Sequence, residues 1–280
     1  MAERALTTTG EGDPVLFLHG FPFGVHVFRQ LVPMTAGRFR AIVPDLSDVE
    51  GVSAQAAAVR ELVDELGIER CAVVAHGTGG RVAQAVAFGG ADVVDAMVLI
   101  ASPGPTGPVL FPASPDEALE VSHIEPIARV DAEAYLEGWR RDPRAFARGR
   151  AALEAGDDVA GLDAAMAASE RPVLILHGED DRIVEAGMAE RLGAAIPAST
   201  LGFVPESGHL LLDDAFASIG PMIVEWLRAR YLRASHDHGG VTMLQLERRP
   251  AWVDLARAEA DDEAEPAVPD PTEQEVGPNP

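Results

Sequence analysis

Short, nearly unbroken apolar runs separated by stretches of helical periodicity most narrow what this chain can fold into. Six such runs lie at 15–18, 40–43, 71–75, 97–101, 173–176 and 200–204. A strand with one wet face would alternate apolar and polar residues, so these runs are expected to be covered on both faces. Between the second and third, Ala56, Val59, Leu62, Val63 and Leu66 form one helical stripe; Ser53 can cap it and Gly67 ends it. Residues 81–88 and 216–230 read as further helices. Strand, helix, strand in this order predicts a mostly parallel sheet with helices on both sides.

The alternation breaks between Pro103 and Arg171, so residues 104–170 are expected to form a small helical cap of three helices, carrying Phe111, His123, Tyr135, Trp139 and Phe146. Periodicity is lost again near the C-terminus. The expected division is a domain over 1–233 and a disordered, Pro-containing acidic tail over 234–280. Within that tail, 241–256 is more apolar and can dock on the domain.

The formal net charge of −23 argues against nucleic acid and anionic membrane surfaces as partners. Residues 234–280 hold eleven acidic side chains and three arginines, so about a third of the excess is local to the tail. The chain has no lysine, which reads most plainly as codon bias. No apolar stretch reaches membrane-spanning length, and the first residues do not resemble a secretory signal, so the expected location is cytoplasmic. The single cysteine, Cys71, opens an apolar run and reads as a buried strand residue.

The segment Ala75-His76-Gly77-Thr78-Gly79-Gly80 follows one apolar run and opens a helix. With serine at its third place it would be a Gly-x-Ser-x-Gly nucleophile elbow. Three other segments accompany it in order. These are Val15-Leu16-Phe17-Leu18-His19-Gly20-Phe21-Pro22 with Val43-Pro44-Asp45-Leu46, then Leu174-Ile175-Leu176-His177-Gly178-Glu179-Asp180-Asp181, then Ser207-Gly208-His209. Together they resemble the α/β-hydrolase superfamily over residues 13–232. The resemblance implies His209 as base and Asp181 as the acid that orients it, with Asp180 as competitor. It also implies an oxyanion hole from the backbone N–H groups of Phe21 and Thr78, and tight helix–strand packing at Gly79 and Gly80. The short N-terminal part suggests that one or two antiparallel edge strands of the family are missing.

Gly77 departs from the family, because glycine cannot form the covalent intermediate that serine, aspartate or cysteine forms there. Thr78, Cys71 and Ser102 are poor substitutes; Ser102 ends the neighbouring strand and is the least remote. The plain reading of Gly77 is that glycine accepts the elbow's strained backbone at least cost. His19, His76 and Ser102 are expected at the site rim, and Phe111, Tyr135 and Trp139 as candidates for a cap pocket. His177 reads as a satisfied core histidine and His123 as a surface one, while His236 and His238 belong to the tail. The arginines Arg140, Arg141, Arg144, Arg148 and Arg150 can face a carboxylate or simply solvent. Neither a metal-ligand cluster nor a phosphate loop stands out, so no cofactor is expected.

The preferred functional expectation is an enzyme that uses His209 and Asp181 without a covalent intermediate, on a small, mostly apolar carbonyl compound. Lyase, cyclase or decarboxylase chemistry, or hydrolysis by activated water, fits that set, and relatives in natural-product pathways provide the analogy. The main rival is a non-catalytic relative that binds a ligand or a protein. That Gly77 was engineered into a serine enzyme also stays open, as does the oligomeric state.

Overall fold

In a computed structural model, residues 5–90, 92–106, 109, 111–124, 126–154 and 161–231 are described, together with the backbone of 242–245. The strands are β1 (Leu6–Thr9), β2 (Pro14–Leu18), β3 (Arg40–Pro44), β4 (Cys71–His76), β5 (Val94–Ile100), β6 (Val173–Gly178), β7 (Ser199–Val204) and β8 (Thr242–Gln245). They form one sheet in the order β1-β3-β2-β4-β5-β6-β7-β8. Only the β1–β3 pair is antiparallel. All six apolar runs became strands, and this is the architecture the resemblance implied. The N-terminus is less reduced than expected, since β1 supplies an antiparallel edge strand. Its sequence, Leu-Thr-Thr-Thr, is mostly exposed and lacks the apolar run that marks the others.

The helices are α1 (Leu31–Thr35), α2 (Val52–Glu65), α3 (Gly79–Phe88), α4 (Pro115–Ser122), α5 (Arg129–Arg141), α6 (Pro143–Glu154), α7 (Asp163–Ala167), α8 (Ala186–Ala195), α9 (Leu211–Asp214) and α10 (Phe216–Arg230). Successive strand residues feed two separate cores. Val15, Phe17, Val74, Val98 and Leu174 pack with Ile219 and Ile223 of α10 on one face. Leu16, Leu18, Val73, Leu99 and Ile175 pack with α2, α3 and α8 on the other. The period of two in each strand therefore carries an apolar side chain to both faces, which is why the runs do not alternate. Cys71 lies in the second core, and burial pushes its thiol up to about 12, so it is inert at neutral pH.

Between β5 and β6 the described residues hold α4 to α7, where the sequence suggested three helices. At the start of α4, Ser114 Oγ accepts the Glu117 N–H at 3.1 Å and Glu117 Oε2 accepts the Ala113 N–H at 2.7 Å, with Pro115 in the first turn. That is a reciprocal cap of the kind the local sequence favours. The cap expected at α2 is different: Gly51, not Ser53, holds the N-cap position and Ser53 lies inside the helix. In the tail, Thr242–Gln245 falls within the apolar piece noted from sequence and pairs parallel with β7. The rest of the tail, with His236 and His238, lies outside the described residues. Among the described residues no helix is long and apolar enough to cross a membrane.

The strand order places the functional end. From β2 the chain adds β3 on one side, then returns to add β4 on the other. The carboxyl ends of β2 and β4 thus border the crevice where the winding reverses, which is where parallel sheets hold ligands.

Candidate active site

The turn after β2 carries His19, Gly20 and Phe21, and the turn after β4 carries Gly77 and Thr78. The two turns touch: a Cβ on Gly20 would stand 2.6 Å from His76 O and 2.8 Å from Thr78 N. Behind them α3 presses onto the sheet, and a Cβ on Gly79 or Gly80 would collide with Leu18 O or Ser102 Oγ respectively. Gly77 has φ 54, a left-handed conformation that side chains resist, and its N–H donates to Ile100 O at 3.0 Å. Its neighbour Ala101, at the end of β5, is also left-handed at φ 49.

The loops after β6 and β7 bring the other two groups. His209 Nδ1 lies 2.9 Å from Asp181 Oδ2. Asp181 Oδ1 accepts the N–H groups of Ile183 and Val184 at 2.8 and 2.9 Å. Asp180 is exposed, so the carboxylate paired with His209 is that of Asp181. Burial pushes the Asp181 carboxyl up, but His209, His177 and the Val184 N–H together hold it below the usual carboxylate range. An ionised Asp181 accepts a hydrogen bond from the Nδ1–H, which leaves the Nε2 lone pair free to act as a base. That Nε2 points at Gly77, where an added Cβ would stand 3.0 Å away.

His76 is fully buried and its Nε2–H donates to His209 O at 2.9 Å. Burial first, and His209 second, lower its pKa to about 3, so it stays neutral. His76 therefore backs His209 rather than lining a rim. His177 is the core histidine expected, with Nε2 2.9 Å from Val184 O. His19 accepts the Leu46 N–H at Nε2 (2.9 Å) and lines the pocket beside the crevice. Ser102 does not reach the rim: it is fully buried, donates to Ile100 O at 3.2 Å and faces Gly80. His123 is not a surface residue either. Its side chain is 8 % exposed, 3.6 Å from Asp214, whose other oxygen accepts the Gly208 N–H. That carboxylate fixes the loop carrying His209.

The cap aromatics divide between two places. Phe111, Trp139 and Phe146 surround Phe21, and Trp139 donates to Pro22 O at 2.6 Å. Tyr135 packs on Phe23, which lies over His209 with ring centres 5.9 Å apart. Of the three aromatics proposed for a cap pocket, only Trp139 lines the pocket described, a space of about 70 Å³ also bordered by Phe21, Thr78, Glu50 and Arg148. Of Arg140, Arg141, Arg144, Arg148 and Arg150, four face carboxylates of this chain, such as Arg148 with Glu50 at 3.0 Å and Arg140 with Asp116 at 2.9 Å.

One cluster escaped the sequence reading. His26 and Arg29, from the turn after β2, meet Asp131 and Tyr135 of α5 and Asp213 of α9. Arg29 lies 2.6 Å from both Asp131 and Asp213, Tyr135 donates to Asp213 at 2.8 Å, and His26 Nε2 is 3.0 Å from Asp131. These contacts clamp the cap to the core above Phe23. The only sequence signal was a histidine and an arginine three residues apart. No group of three or more His, Cys, Asp or Glu side chains is placed to hold a metal ion among the described residues.

Residues 15–219 match the profile of the Alpha/beta hydrolase family. The chain is 26% identical over 255 residues to the magnesium-chelatase 30 kDa subunit of Rhodobacter capsulatus, covering 79% of this chain and 89% of that one. It is 24% identical over 253 residues to 2-hydroxymuconate semialdehyde hydrolase of Pseudomonas sp. (strain CF600), again covering 79% and 89%. Among solved structures, the meta-cleavage product hydrolase of Pseudomonas fluorescens IP01 superposes with a TM-score of 0.67 at 22% identity, over 81% of this chain and 94% of that one.

Proposed function

This chain belongs to the α/β-hydrolase family, and from that premise we propose that it is an enzyme acting through His209 and Asp181 without a covalent intermediate. One observation carries the reading. The position of a Cβ on Gly77 is 3.0 Å from His209 Nε2, so an oxygen of water or substrate seated there would be within hydrogen-bond range of a base. Nε2 takes a proton from that oxygen, or from the carbon beside a carbonyl, while Asp181 stabilises the imidazolium. Negative charge develops on the carbonyl oxygen where the turns carrying Phe21 and Thr78 meet, and the imidazolium then returns its proton to the product. General-base help of this kind contributes about 10²–10⁴-fold, and each donor at the oxygen about 3–4 kcal/mol.

The substrate we infer is a small, mostly apolar carbonyl compound, since Phe21 and Trp139 wall the pocket. Lyase-, cyclase- or decarboxylase-like reactions and water-activated hydrolysis all fit this set. The similarity to a hydrolase of a semialdehyde supports a carbonyl substrate, and natural-product biosynthesis is a fitting setting. A second reading, a ligand- or partner-binding relative without turnover, is favoured by one feature: His209 is 2 % exposed and borders no part of the described pocket. The similarity to a magnesium-chelatase subunit agrees with it.

The test compares wild type, Gly77→Ser and His209→Ala on short-chain aryl esters and a panel of carbonyl compounds, by product mass. Conversion by wild type that His209→Ala abolishes supports non-covalent catalysis. Esterase activity gained only in Gly77→Ser shows an assembled site that lacks a nucleophile. If no variant converts anything, binding becomes the better account.

A further inference from the structure

The backbone on both sides of His209 is tied to the turn between α4 and α5. On one side, Leu210 N–H donates to Ser122 O at 3.0 Å. Ser122 ends α4, and His123 after it is extended at φ −110 and ψ 151. The last carbonyl of the helix therefore finds its donor in the loop of His209 instead of in a further helical turn. On the other side, Gly208 N–H donates to Asp214 Oδ2 at 2.8 Å. The second oxygen of that carboxylate accepts Ile124 N–H at 3.4 Å, and His123 Nδ1 lies 3.6 Å from it.

The two segments are in close contact. A Cβ on Gly208 would stand 2.6 Å from Ser122 O. Ser122 is fully buried and the Asp214 side chain is 1 % exposed. The core grips His209 by other atoms, since its carbonyl accepts from His76 and its ring pairs with Asp181. Those bonds leave the N–H groups at 208 and 210 to Asp214 and Ser122. A buried N–H without an acceptor is rare and costly, so the loop and the turn are bound to move together.

We propose that Asp214 is a positioning residue for His209, and that through it the turn at Ser122–Ile124 governs whether the imidazole stays aligned with Gly77. With the turn seated, both N–H groups beside His209 have acceptors and Nε2 stands at the Gly77 turn. Displacing the turn takes the acceptor of Leu210 away and parts Asp214 from Ile124. The loop then loses two of its ties at once, and the imidazole leaves its place against Asp181. The inference rests on His209 as the base of the site and adds the residue that holds it there.

The experiment uses the full chain as wild type, Asp214→Ala and Asp214→Asn. Each is treated with diethyl pyrocarbonate, and the modification of every histidine is followed by peptide mass. His209 is 2 % exposed in the seated state, and His76 and His177 are fully buried on β4 and β6, so all three should react slowly in wild type. Asp214→Ala is expected to label His209 roughly tenfold faster, with His76 and His177 unchanged. Asp214→Asn offers one acceptor oxygen and one N–H₂ group, so whichever way it turns one of the two links is lost. It is expected to speed His209 as well, by a smaller factor. The ring-proton NMR signal of His209, identified by its absence from His209→Ala, should move in both variants. Labelling of His209 as slow in Asp214→Ala as in wild type would overturn the proposal. Equal acceleration of His76 and His177 would overturn it too, because Asp214 would then serve the fold as a whole. An Asp214→Asn variant as protected as wild type would remove the turn from the account. Turnover enters neither readout: if wild type and His209→Ala are equally inactive on carbonyl compounds, the catalytic reading fails, while selective labelling of His209 still establishes its dependence on Asp214.

Discussion

Replacing Gly77 with alanine tests the local geometry without asking for new chemistry. At φ 54 the backbone is left-handed, which costs an L-residue about 1–2 kcal/mol. The new Cβ would also stand 3.0 Å from His209 Nε2, closer than carbon normally approaches. The imidazole cannot swing away freely, since Asp181 holds it at 2.9 Å, and overpacking of this sort adds about 1 kcal/mol or more. Stiffening the unfolded chain offsets about 0.4–1 kcal/mol. The net destabilisation is therefore about 1–3 kcal/mol, a fall in Tm of about 2–12 °C for a domain of this size. Gly67→Ala is the control, because Gly67 has φ 61 but nothing within 4 Å of an added Cβ. It should show the backbone cost alone, and the difference between the two variants reports the encounter with His209. Thermal melts followed by circular dichroism decide the matter. An alanine variant as stable as wild type would refute the reasoning, and equal losses at Gly67 and Gly77 would remove His209 from it.

Two further outcomes concern pH. Burial holds the His76 pKa at about 3 against its ordinary 6.5, and that of His177 is lowered in the same direction. Both stay neutral in the fold where the unfolded chain would bind protons. Stability is thus fully present above pH 6.5 and declines as pH falls, for His76 by about 1.4 kcal/mol per pH unit down to about pH 3. His76→Gln should lower the slope of urea-derived stability near pH 5 by about 1.4 kcal/mol per pH unit, and an unchanged slope would contradict the assignment. Asp181 has a lowered folded pKa, so its contribution is present above the unfolded value of about 4 and lost as pH falls through the folded one. Asp181→Asn should be less stable than wild type at pH 7, with the gap closing in acid; a constant gap would mean that the carboxylate charge contributes nothing.

The sheet was readable because its strands are buried on both faces, so continuous apolar runs mark them without any information from partners. β1 was not, since Leu6–Thr9 is an edge strand whose stability comes from pairing with β3 rather than from burial. The histidine and its acid were readable in position, each delivered at the end of an apolar run. The choice between Asp180 and Asp181 needed coordinates: the two are neighbours in sequence and only one side chain turns inward to two backbone N–H groups. The clamp of His26, Arg29, Asp131, Tyr135 and Asp213 joins three elements up to 187 residues apart in the chain, and no local period encodes such a meeting. The turn residue Thr78 was expected to offer only its N–H. That its hydroxyl accepts the Phe21 N–H at 2.9 Å depends on how closely the two turns approach, and Gly20 permits that approach.

The retention of an acid and a histidine beside Gly77 does not weigh equally for the two residues. Asp181 Oδ1 organises the turn to Val184 through two backbone N–H groups, and those bonds would be worth keeping in a protein with no chemistry at all. His209 has no such second duty for its ring. Its carbonyl, not its imidazole, accepts from His76, and the imidazole's hydrogen bond is to Asp181. A glutamine or leucine of similar bulk could fill the space between Phe23 and His76. The imidazole with Nε2 directed at the side-chain-free Gly77 is therefore the feature that structure alone does not require, and His209, far more than Asp181, speaks for catalysis.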